Sequence, residues 1–356
     1  MPNERDPLRV ALIGYGLAGS AFHAPLIAAT PGLRLDAIVT ADPLRTEQAR
    51  RRHPDSRTVR SANELWTRPE EIDLVVVATP NRTHVALARA AVEAGIAAVV
   101  DKPLAATAEE GAQVVAEARR KGVFLTVFQN RRWDGDFLTV RRLIAEGALG
   151  DVHRFESRFE RWRPAPKEGW RESGDPAEAG GILFDLGSHL VDQARVLFGP
   201  VASVYAEVDG LRPGVEADDD AFVALTHASG VRSHLWMSAL AGDHDLRMRV
   251  LGSSAAYVKT GMDVQEDALR SGASPDAAGW GSDPEERWGR LGAANTWRPI
   301  PTEAGAYPAF YAAVEAALRA GGPPPVDPQD AVATLRIIEA ARRSSRERAV
   351  VTPADG

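Results

Sequence analysis

The segment Leu8-Arg9-Val10-Ala11-Leu12-Ile13-Gly14-Tyr15-Gly16-Leu17-Ala18-Gly19 decides the fold of the first part of the chain. It is an apolar run of strand length, followed directly by G-x-G-x-x-G and then by a helical pattern over Ala18–Ala29. Glycines at these spacings allow a tight turn, close approach of the backbone to a pyrophosphate, and close packing of helix on strand. The segment therefore predicts a dinucleotide-binding turn. Its predicted cofactor contacts are Gly14, Gly16, Leu17 and Gly19.

The same alternation of apolar run, turn and helical segment continues to about Gln129. The apolar runs are rich in Val and Ile and do not alternate with polar residues, which is typical of strands buried on both faces. They are Leu8–Ile13, Leu33–Val39, Leu74–Ala78, Ala97–Val100 and Val123–Phe128. The helical segments between them are Ala18–Ala29, Pro43–Arg52, Thr83–Ala94 and Ala108–Lys121. Residues 1–129 are thus predicted to form a Rossmann domain with a doubly wound parallel sheet, an α/β fold.

After residue 130 the strand candidates are no longer separated by helices. They are Val152–Trp162, Val201–Leu211, Ala221–His227, Val231–Met237 and Leu246–Leu251. The predicted helices are Phe137–Glu146, Ile182–Leu197, Ala309–Ala320 and Gln329–Arg346, and the stretches Arg163–Ala179 and Gly261–Arg298 are predicted to be long loops. Residues 130–356 are therefore predicted to form an α+β domain, which is the candidate domain for substrate binding and oligomerisation. It has an open, mostly antiparallel sheet with helices on one face.

Composition excludes several classes of function. The chain has 356 residues, 42 Lys plus Arg against 49 Asp plus Glu, a net charge of −7, and no cysteine. No disulfide, thiolate metal site or cysteine nucleophile is available, and no basic face favours nucleic acid or an anionic membrane. No apolar run approaches the ~20 residues of a membrane span. We expect a cytoplasmic protein with no nucleic-acid or membrane partner.

The end of the second predicted strand decides between NAD and NADP. An acid there hydrogen-bonds the adenosine ribose of NAD, whereas a neutral residue with a nearby arginine accommodates the 2′-phosphate of NADP. Thr40 stands where the acid is expected, and Arg45 follows it within reach. These residues favour NADP(H). If the strand instead runs on to Asp42, that carboxylate becomes the ribose ligand and NAD(H) is the cofactor.

Further polar residues follow the runs at 74–78 and 97–100. Open α/β sheets bind ligands at the carboxyl ends of their strands, so these residues are candidate cofactor contacts. They are Thr79, Pro80, Asn81, His84, Asp101 and Lys102. A lysine in this position can lie between nicotinamide and substrate, and its alternative is a solvated surface lysine. For His84 the alternative to a cofactor contact is a surface helix residue.

The segment from Gly180 to Asp192 reads G-G-x-x-x-D-x-G-x-H-x-x-D. On a helix, Asp185, His189 and Asp192 share one face, although most of the surrounding residues are apolar. Ionisable groups are costly to bury without partners or a purpose, so this face is a candidate catalytic site. A solvated polar stripe is the alternative. A metal site is the weaker interpretation, because hydride transfer to nicotinamide needs no metal, and no metal is predicted.

Together these motifs resemble the glucose–fructose oxidoreductase/inositol dehydrogenase/MocA (Gfo/Idh/MocA) family, over almost the whole chain. The motifs are G-x-G-x-x-G after the first strand, a Lys-Pro pair at 102–103, and the G-G-x-x-x-D-x-G-x-H-x-x-D helix. The resemblance is closest to the branch of NADP-dependent scyllo-inositol dehydrogenase. It is carried there by Asn130–Asp134, Tyr257–Lys259, Gln265–Arg270 and Arg336–Ala341.

The resemblance implies that Lys102, Asp185 and His189 form a catalytic triad. In that triad the lysine and histidine assist removal of the alcohol proton, and the aspartate orients the histidine. The implied activity is hydride transfer between NADP(H), or NAD(H), and a secondary alcohol of a cyclic polyol or sugar. A homodimer or homotetramer formed through the open sheet is also implied. One departure is that the family's Glu-Lys-Pro reads Asp101-Lys102-Pro103 here.

Recognition of a polyol requires planar hydrogen-bond donors and a flat apolar platform. The residues predicted to contact substrate are Lys102, Asn130, Arg131, Arg132, Trp133, Trp162, Asp185 and His189. Arg163 and Trp170 lie in the same loops, and ordinary packing is the alternative role of the tryptophans. Two other functions stay open: a dehydrogenase for an aldose, sugar acid or dihydrodiol, and a non-catalytic dinucleotide-binding regulator.

Overall fold

The two sequence patterns correspond to two kinds of sheet. Continuous apolar runs form strands that are buried on both faces, and alternating apolar and polar residues form strands with one buried face. The computed structural model describes residues 6–166 and 169–354. By residue contacts it divides into two compact units. Unit 1 comprises Met1–Asn130, Gln265–Trp280 and Ala306–Val332, and unit 2 comprises Arg131–Val264, Gly281–Gly305 and Ala333–Gly356.

The strands are β1 Leu8–Ile13, β2 Leu33–Val39, β3 Arg57–Val59, β4 Leu74–Val77, β5 Ala97–Asp101, β6 Leu125–Phe128, β7 Val152–Glu160, β8 Val201–Asp209, β9 Asp220–His227, β10 Arg232–Ser238, β11 Leu246–Gly252, β12 Ala256–Thr260, β13 Gly289–Ala293 and β14 Thr296–Ile300. The α-helices are α1 Ala24–Ala28, α2 Pro43–Arg52, α3 Asn63–Trp66, α4 His84–Glu93, α5 Ala108–Lys121, α6 Gly135–Ala145, α7 Ser188–Phe198, α8 Gln265–Ser271, α9 Pro308–Ala320 and α10 Pro328–Glu347. One π-helical turn, Ala18–His23, precedes α1, and another, Leu183–Gly187, precedes α7.

Unit 1 is built on a parallel sheet with the strand order β3-β2-β1-β4-β5-β6 in its described residues. The central strand β4 is fully buried because Leu74, Val75, Val76 and Val77 pack on both faces. The order reverses direction between β1 and β4, and ligands bind at such a switch point in doubly wound folds. The predicted Rossmann architecture is confirmed.

Unit 2 is built on a mixed sheet with the order β14-β13-β12-β11-β7-β10-β9-β8 in its described residues. β7 and β10 pair in parallel, and the other neighbouring strands pair antiparallel. Helix α7 packs against β7 and β10, and α10 contacts β8, where Ser344 Oγ accepts a hydrogen bond from the backbone N–H of Ala206. The predicted open, mostly antiparallel sheet is confirmed.

The prediction of a loop over Gly261–Arg298 is wrong, because this stretch contains α8, β13 and the start of β14. β13 and β14 are short edge strands with mostly exposed residues, so they lack the apolar period that predicts a strand. The three-residue strand β3 was missed for the same reason. The predicted helix Ile182–Leu197 begins as a π-helical turn. The segments 265–280 and 306–332 group with unit 1, whereas the boundary at 129/130 predicted from sequence remains a prediction.

Two glycines fix how the first helix packs on the parallel sheet. Gly14 has φ +99°, and a Cβ there would lie 2.4 Å from the carbonyl oxygen of Ala78. A Cβ on Gly19 would lie 2.0 Å from the carbonyl oxygen of Gly14. Neither position can therefore carry a side chain. The backbone of Ala78, just after β4, excludes one at Gly14, and the backbone of Gly14 excludes one at Gly19. Gly16 is different, since the nearest atom to a Cβ there would be the Nη1 of Arg45, 3.8 Å away.

This difference predicts that two matched substitutions affect stability to very different extents. Gly19→Ala forces backbone atoms apart and should lower the free energy of unfolding by roughly 2–3 kcal/mol, the usual cost of overpacking. Gly16→Ala meets only a flexible side chain and should change it by less than ~0.5 kcal/mol. Thermal unfolding of the cofactor-free protein measures both. Equal stability of the two variants would contradict the packing described here.

Among the described residues, no helix combines the length and apolarity that crossing a membrane requires.

Candidate active site

The turn after β1 offers an open cradle beside an arginine. Gly16 carries no side chain, and a Cβ there would lie 3.8 Å from the Nη1 of Arg45, a residue of the first turn of α2. Leu17, by contrast, is half-exposed. The backbone N–H groups at the start of a helix favour an anion, and a second cation adds to that preference. This cradle therefore fits a dinucleotide pyrophosphate, and the predicted contacts of the turn lie together.

The strand β2 ends at Val39, which places Thr40 and Asp42 in different roles. Thr40 is buried directly after the strand. Asp42 is the N-cap of α2, and its Oδ1 accepts hydrogen bonds from the backbone N–H of Leu44 at 2.8 Å and of Arg45 at 3.1 Å. Its other oxygen lies 3.7 Å from the Arg45 Nε. The carboxylate of Asp42 is thus engaged by its own helix.

His84 connects the ends of two neighbouring strands of unit 1. It is buried, so the surface alternative is wrong. Its Nδ1 lies 2.7 Å from the carbonyl oxygen of Pro103 and its Nε2 lies 2.9 Å from that of Thr79. Pro103 follows Lys102 directly, so His84 ties the chain next to the candidate lysine to the end of β4. Asn81, which is also buried, begins the short turn before α4.

Asp101, at the end of β5, belongs to a buried polar chain that the sequence pattern does not reveal. Its Oδ1 accepts from the backbone N–H of Lys102 at 2.8 Å, and its Oδ2 lies 3.8 Å from the Nε2 of His23. His23 Nδ1 is 2.6 Å from the hydroxyl of Tyr311 on α9. Burial opposes ionisation of Asp101, but His23, His84 and Lys102 outweigh it and hold the pKa of this carboxyl below its usual value. Burial raises the pKa of Tyr311.

In unit 2 the helix that carries Asp185 and His189 starts at a buried carboxylate. Asp218 Oδ2 accepts from the backbone N–H of Leu183 at 2.7 Å, and its Oδ1 lies 3.2 Å from the Nη2 of Arg342. A Cβ on Gly181, which has φ +94°, would lie 2.2 Å from the Asp218 Oδ1. Burial raises the pKa of Asp218 despite these contacts. Asp218 therefore anchors the first turn, and the second glycine of the G-G pair makes room for it.

Asp185 forms an ion pair that the sequence pattern does not predict. Its Oδ2 lies 3.2 Å from the Nε of Arg171, in the short helical turn Trp170–Glu172. Asp185 lies in the π-helical turn, and His189, which is buried, lies in the first turn of α7. The spacing places both on one helical segment, as predicted. No single-sequence pattern distinguishes Arg171 from the other arginines of its loop.

Asp192 is held in an ion pair with an arginine. Its two oxygens accept from Arg132, Nη2 at 2.6 Å and Nε at 2.8 Å, in a bidentate pair. Gln193 donates from its Nε2 to the carbonyl oxygen of Arg131 at 2.8 Å. Arg131 and Arg132 are thus held to α7, and Asp192 is a buried, paired carboxylate, not a solvated residue. In the described residues, no group of three His, Asp or Glu side chains is arranged to hold a metal ion.

The remaining predicted substrate contacts differ in how far they are exposed to solvent. Arg131 is buried, 3.2 Å from Asp134 and with its guanidinium 4.5 Å from the centre of the Phe159 ring. Burial raises the pKa of Asp134 well above its usual value, and neighbouring carboxylates add to the shift. Trp133 is half-buried, and Trp162 has 57% of its surface exposed. Of these, Trp162 has an apolar face open to a ligand.

Comparison with known proteins supports one family over the whole chain. The family model described as "Oxidoreductase family, NAD-binding Rossmann fold" matches residues 8–129. The model "Oxidoreductase family, C-terminal alpha/beta domain" matches residues 141–352. Both models belong to Gfo/Idh/MocA, and together they match most of the chain.

Individual relatives agree with this. The chain is 37% identical to scyllo-inositol 2-dehydrogenase (NADP(+)) IolW of Bacillus subtilis, over 97% of this chain and 96% of that one. It is 41% identical to the uncharacterized oxidoreductase YdgJ of Escherichia coli, over 97% and 99%. The solved structure of the putative oxidoreductase yvaA from B. subtilis has a TM-score of 0.93 at 35% identity, over 98% and 99%. The chain belongs to the Gfo/Idh/MocA family and is an NAD(P)-binding oxidoreductase, a dehydrogenase acting on CH–OH groups.

Proposed function

We propose that the protein is an NADP-dependent dehydrogenase for a secondary alcohol of a cyclic polyol or sugar, similar in activity to scyllo-inositol dehydrogenase. The observation that carries the proposal is the joint presence of Lys102 after β5 and of Asp185 and His189 on the helix of unit 2. The 37% identity to a scyllo-inositol 2-dehydrogenase over nearly the full length supports the substrate class.

The roles follow from the chemistry of alcohol oxidation. A bound nicotinamide would accept the hydride from the carbinol carbon. The single proton of the hydroxyl group passes to one base, either Lys102 or His189, and the other residue assists its removal. Asp185 orients His189. His84 and the backbone of Pro103 fix the chain beside Lys102, which limits where its Nζ can move.

The substrate contacts remain part of the proposal. Trp162 supplies an exposed apolar face, and Asn130 and Trp133 lie in or beside the turn after β6. Arg131 and Arg132 are engaged by Asp134 and Asp192, so we expect them to hold this turn in place in addition to any contact with substrate. A sugar or sugar-acid dehydrogenase is the alternative, because the same three residues serve it equally.

Replacement of the lysine tests catalysis separately from binding. Lys102→Met should lower kcat by ~10²–10⁴, the usual effect of removing a positioned acid–base group. Cofactor affinity should stay nearly unchanged. NADPH formation at 340 nm with a panel of inositols and aldoses measures the first, and fluorescence titration of NADPH measures the second. A wild-type protein that binds the cofactor but oxidises no member of the panel would favour a regulator instead.

The preference for NADP is supported by the end of β2. The strand stops before Asp42, and that carboxylate is occupied as the N-cap of α2. Thr40, which is not an acid, is thus the residue expected to face the adenosine ribose of the cofactor. Arg45 is 52% exposed in its side chain and lies beside Gly16, where its planar donors can reach a 2′-phosphate.

Removing that arginine should separate the two cofactors. Arg45→Ala should lower kcat/KM for NADP by about 10–150-fold, which corresponds to the ~1.5–3 kcal/mol of a charge-assisted hydrogen bond. Its effect on NAD should be small. Asp42→Asn, which keeps an N-cap, is the matched control and should leave the preference unchanged. If Asp42→Asn selectively weakens NAD, then Asp42 is a ribose ligand and this assignment is wrong.

Self-association through the open sheet is also proposed, as a homodimer or homotetramer in the cytoplasm. The face of the sheet opposite α7 carries an aromatic cluster, which we define as Phe222, His234 and Trp236, with Arg158 stacked on Trp236 at 4.3 Å. Its members are half-buried in one chain. Aromatic and arginine side chains are the residues enriched in such interfaces.

Light scattering at micromolar concentration should therefore give at least twice the 38.2 kDa of one chain. Trp236→Glu places a charge in the aromatic cluster and should reduce the mass to that of a monomer. Glu64→Gln, on the exposed helix α3 of unit 1, is the control and should not change the mass. A wild-type mass of one chain would contradict the proposal.

A further inference from the structure

Three features near Asp185 are not explained by the catalytic roles proposed above. They are the ion pair of Asp185 with Arg171, the glycine Gly180, and the buried arginine Arg212. All belong to unit 2. They converge on the turn Trp170–Glu172, called here the arginine turn. What the arginine turn does for catalysis rests on the proposed function of Asp185 and His189.

The arginine turn is seated on the start of the catalytic helix by backbone contacts. A Cβ on Gly180 would lie 2.4 Å from the carbonyl oxygen of Ser173 and 3.0 Å from that of Trp170. The backbone N–H of Gly181 donates to the carbonyl oxygen of Arg171 at 2.9 Å. The first glycine of the G-G motif thus has a structural role, because it lets the turn approach closely enough for Arg171 to reach Asp185.

A buried arginine fixes the other side of the same turn. Arg212, whose side chain is 4% exposed, lies 2.6 Å from Glu172 and 2.8 Å from Asp219. Its Nη1 also donates to the carbonyl oxygen of Arg163 at 3.4 Å. Such buried, charge-assisted contacts hold position far better than exposed pairs. The turn is therefore held at Glu172 and at Gly181, on either side of the Arg171 side chain.

The Arg171 side chain is itself oriented by two partners. Its Nε faces the Asp185 carboxylate at 3.2 Å, and its guanidinium stacks on the ring of Trp170 at 4.3 Å. Half of the side chain, 49%, stays exposed, against 19% for Asp185. The Arg171 guanidinium thus lies on the solvent side of the Asp185 carboxylate, which is proposed to orient His189.

We propose that Arg171 is a positioning residue that acts through Asp185: it shares the carboxylate's negative charge with His189 and fixes its orientation. A carboxylate next to an imidazole favours the protonated imidazole, and a cation on the same carboxylate weakens that effect. His189 is thereby kept able to accept the alcohol proton at a lower pH than with Asp185 alone. The arginine turn places the Arg171 guanidinium beside Asp185.

Other charged side chains also lie near this helical segment. Asp218 and Arg342 neutralise each other at the first turn, where the Arg342 guanidinium also stacks on Phe184 at 4.5 Å. Strand β10, which packs against the π-helical turn, presents Met237 to Gly187. His189 lies four residues after Asp185 on the same segment. The proposal rests on the contact between the Arg171 Nε and the Asp185 carboxylate.

The first test needs no cofactor or substrate. The protein has eight histidines, and ¹⁵N NMR of the cofactor-free chain can follow each imidazole, with His189→Asn identifying the signal of His189. In Arg171→Gln the titration midpoint of His189 should rise by about half a pH unit, because the carboxylate then acts on the imidazole alone. Arg171→Lys keeps the charge and should restore most of the wild-type midpoint. Arg120→Gln, an equal charge change on the exposed last turn of α5, should have no effect.

The second test uses the active enzyme and a second variant. The acidic limb of kcat/KM against pH for alcohol oxidation should move upward by the same half unit in Arg171→Gln. Gly180→Ala displaces the arginine turn without removing a charge and should move it in the same direction. A His189 midpoint that is unchanged or lower in folded Arg171→Gln would overturn the proposal. Absence of wild-type activity would instead overturn the proposed function, and the NMR titration would still decide the role of Arg171.

Discussion

The structure depends on backbone packing against backbone at places where no side chain fits. Gly14 and Gly19 let the first helix approach the ends of β1 and β4, since a Cβ on either would lie within 2.4 Å of a carbonyl oxygen. That approach orients the helix N-terminus toward the carboxyl edge of the sheet. Thr40, Arg45 and the residues after β4 and β5 then follow at the same edge, because parallel strands end there together.

The same constraint operates in unit 2 and explains a motif whose purpose is not visible in the sequence. Gly180 admits the arginine turn, and Gly181 admits the carboxylate of Asp218. One glycine thus brings a cation to Asp185, and the other provides the anchor of the helix start. Both units use paired glycines to bring a second element close to the beginning of a helix, in one case for an anion cradle and in the other for a carboxylate.

Sequence patterns predicted the sheets and the main helices because burial imposes a period on the residues. The short apolar runs at Leu8–Ile13 and Leu74–Val77, rich in Val, Leu and Ile, are typical of buried strands. β13 and β14 carry no such period, since edge strands are held by hydrogen bonds to one neighbour and leave most side chains exposed. They could not be predicted in this way.

Candidate residues were recognised where chemistry and local spacing coincide, as in the turn from Gly14 to Gly19 and in the pair Asp185 and His189. Their partners are distant in sequence: Arg132 pairs with Asp192, and Arg171 with Asp185. His23, in the π-helical turn Ala18–His23, faces Asp101 at the end of strand β5. These contacts depend on tertiary packing, so residue type alone does not identify them. Asp42 is a case in which the sequence left two roles open: it could have been a ribose ligand, and the structure uses it as the N-cap of α2.

Isotope transfer tests the central claim, that this chain moves a hydride from a carbinol carbon to NADP. scyllo-Inositol deuterated at its carbinol carbons is incubated with the wild-type protein and NADP, and the reduced cofactor is analysed by mass spectrometry. The account predicts NADPH that carries one deuterium at C4 of the nicotinamide. Reduced cofactor without deuterium, or no reduction at any concentration of the polyol, would contradict it.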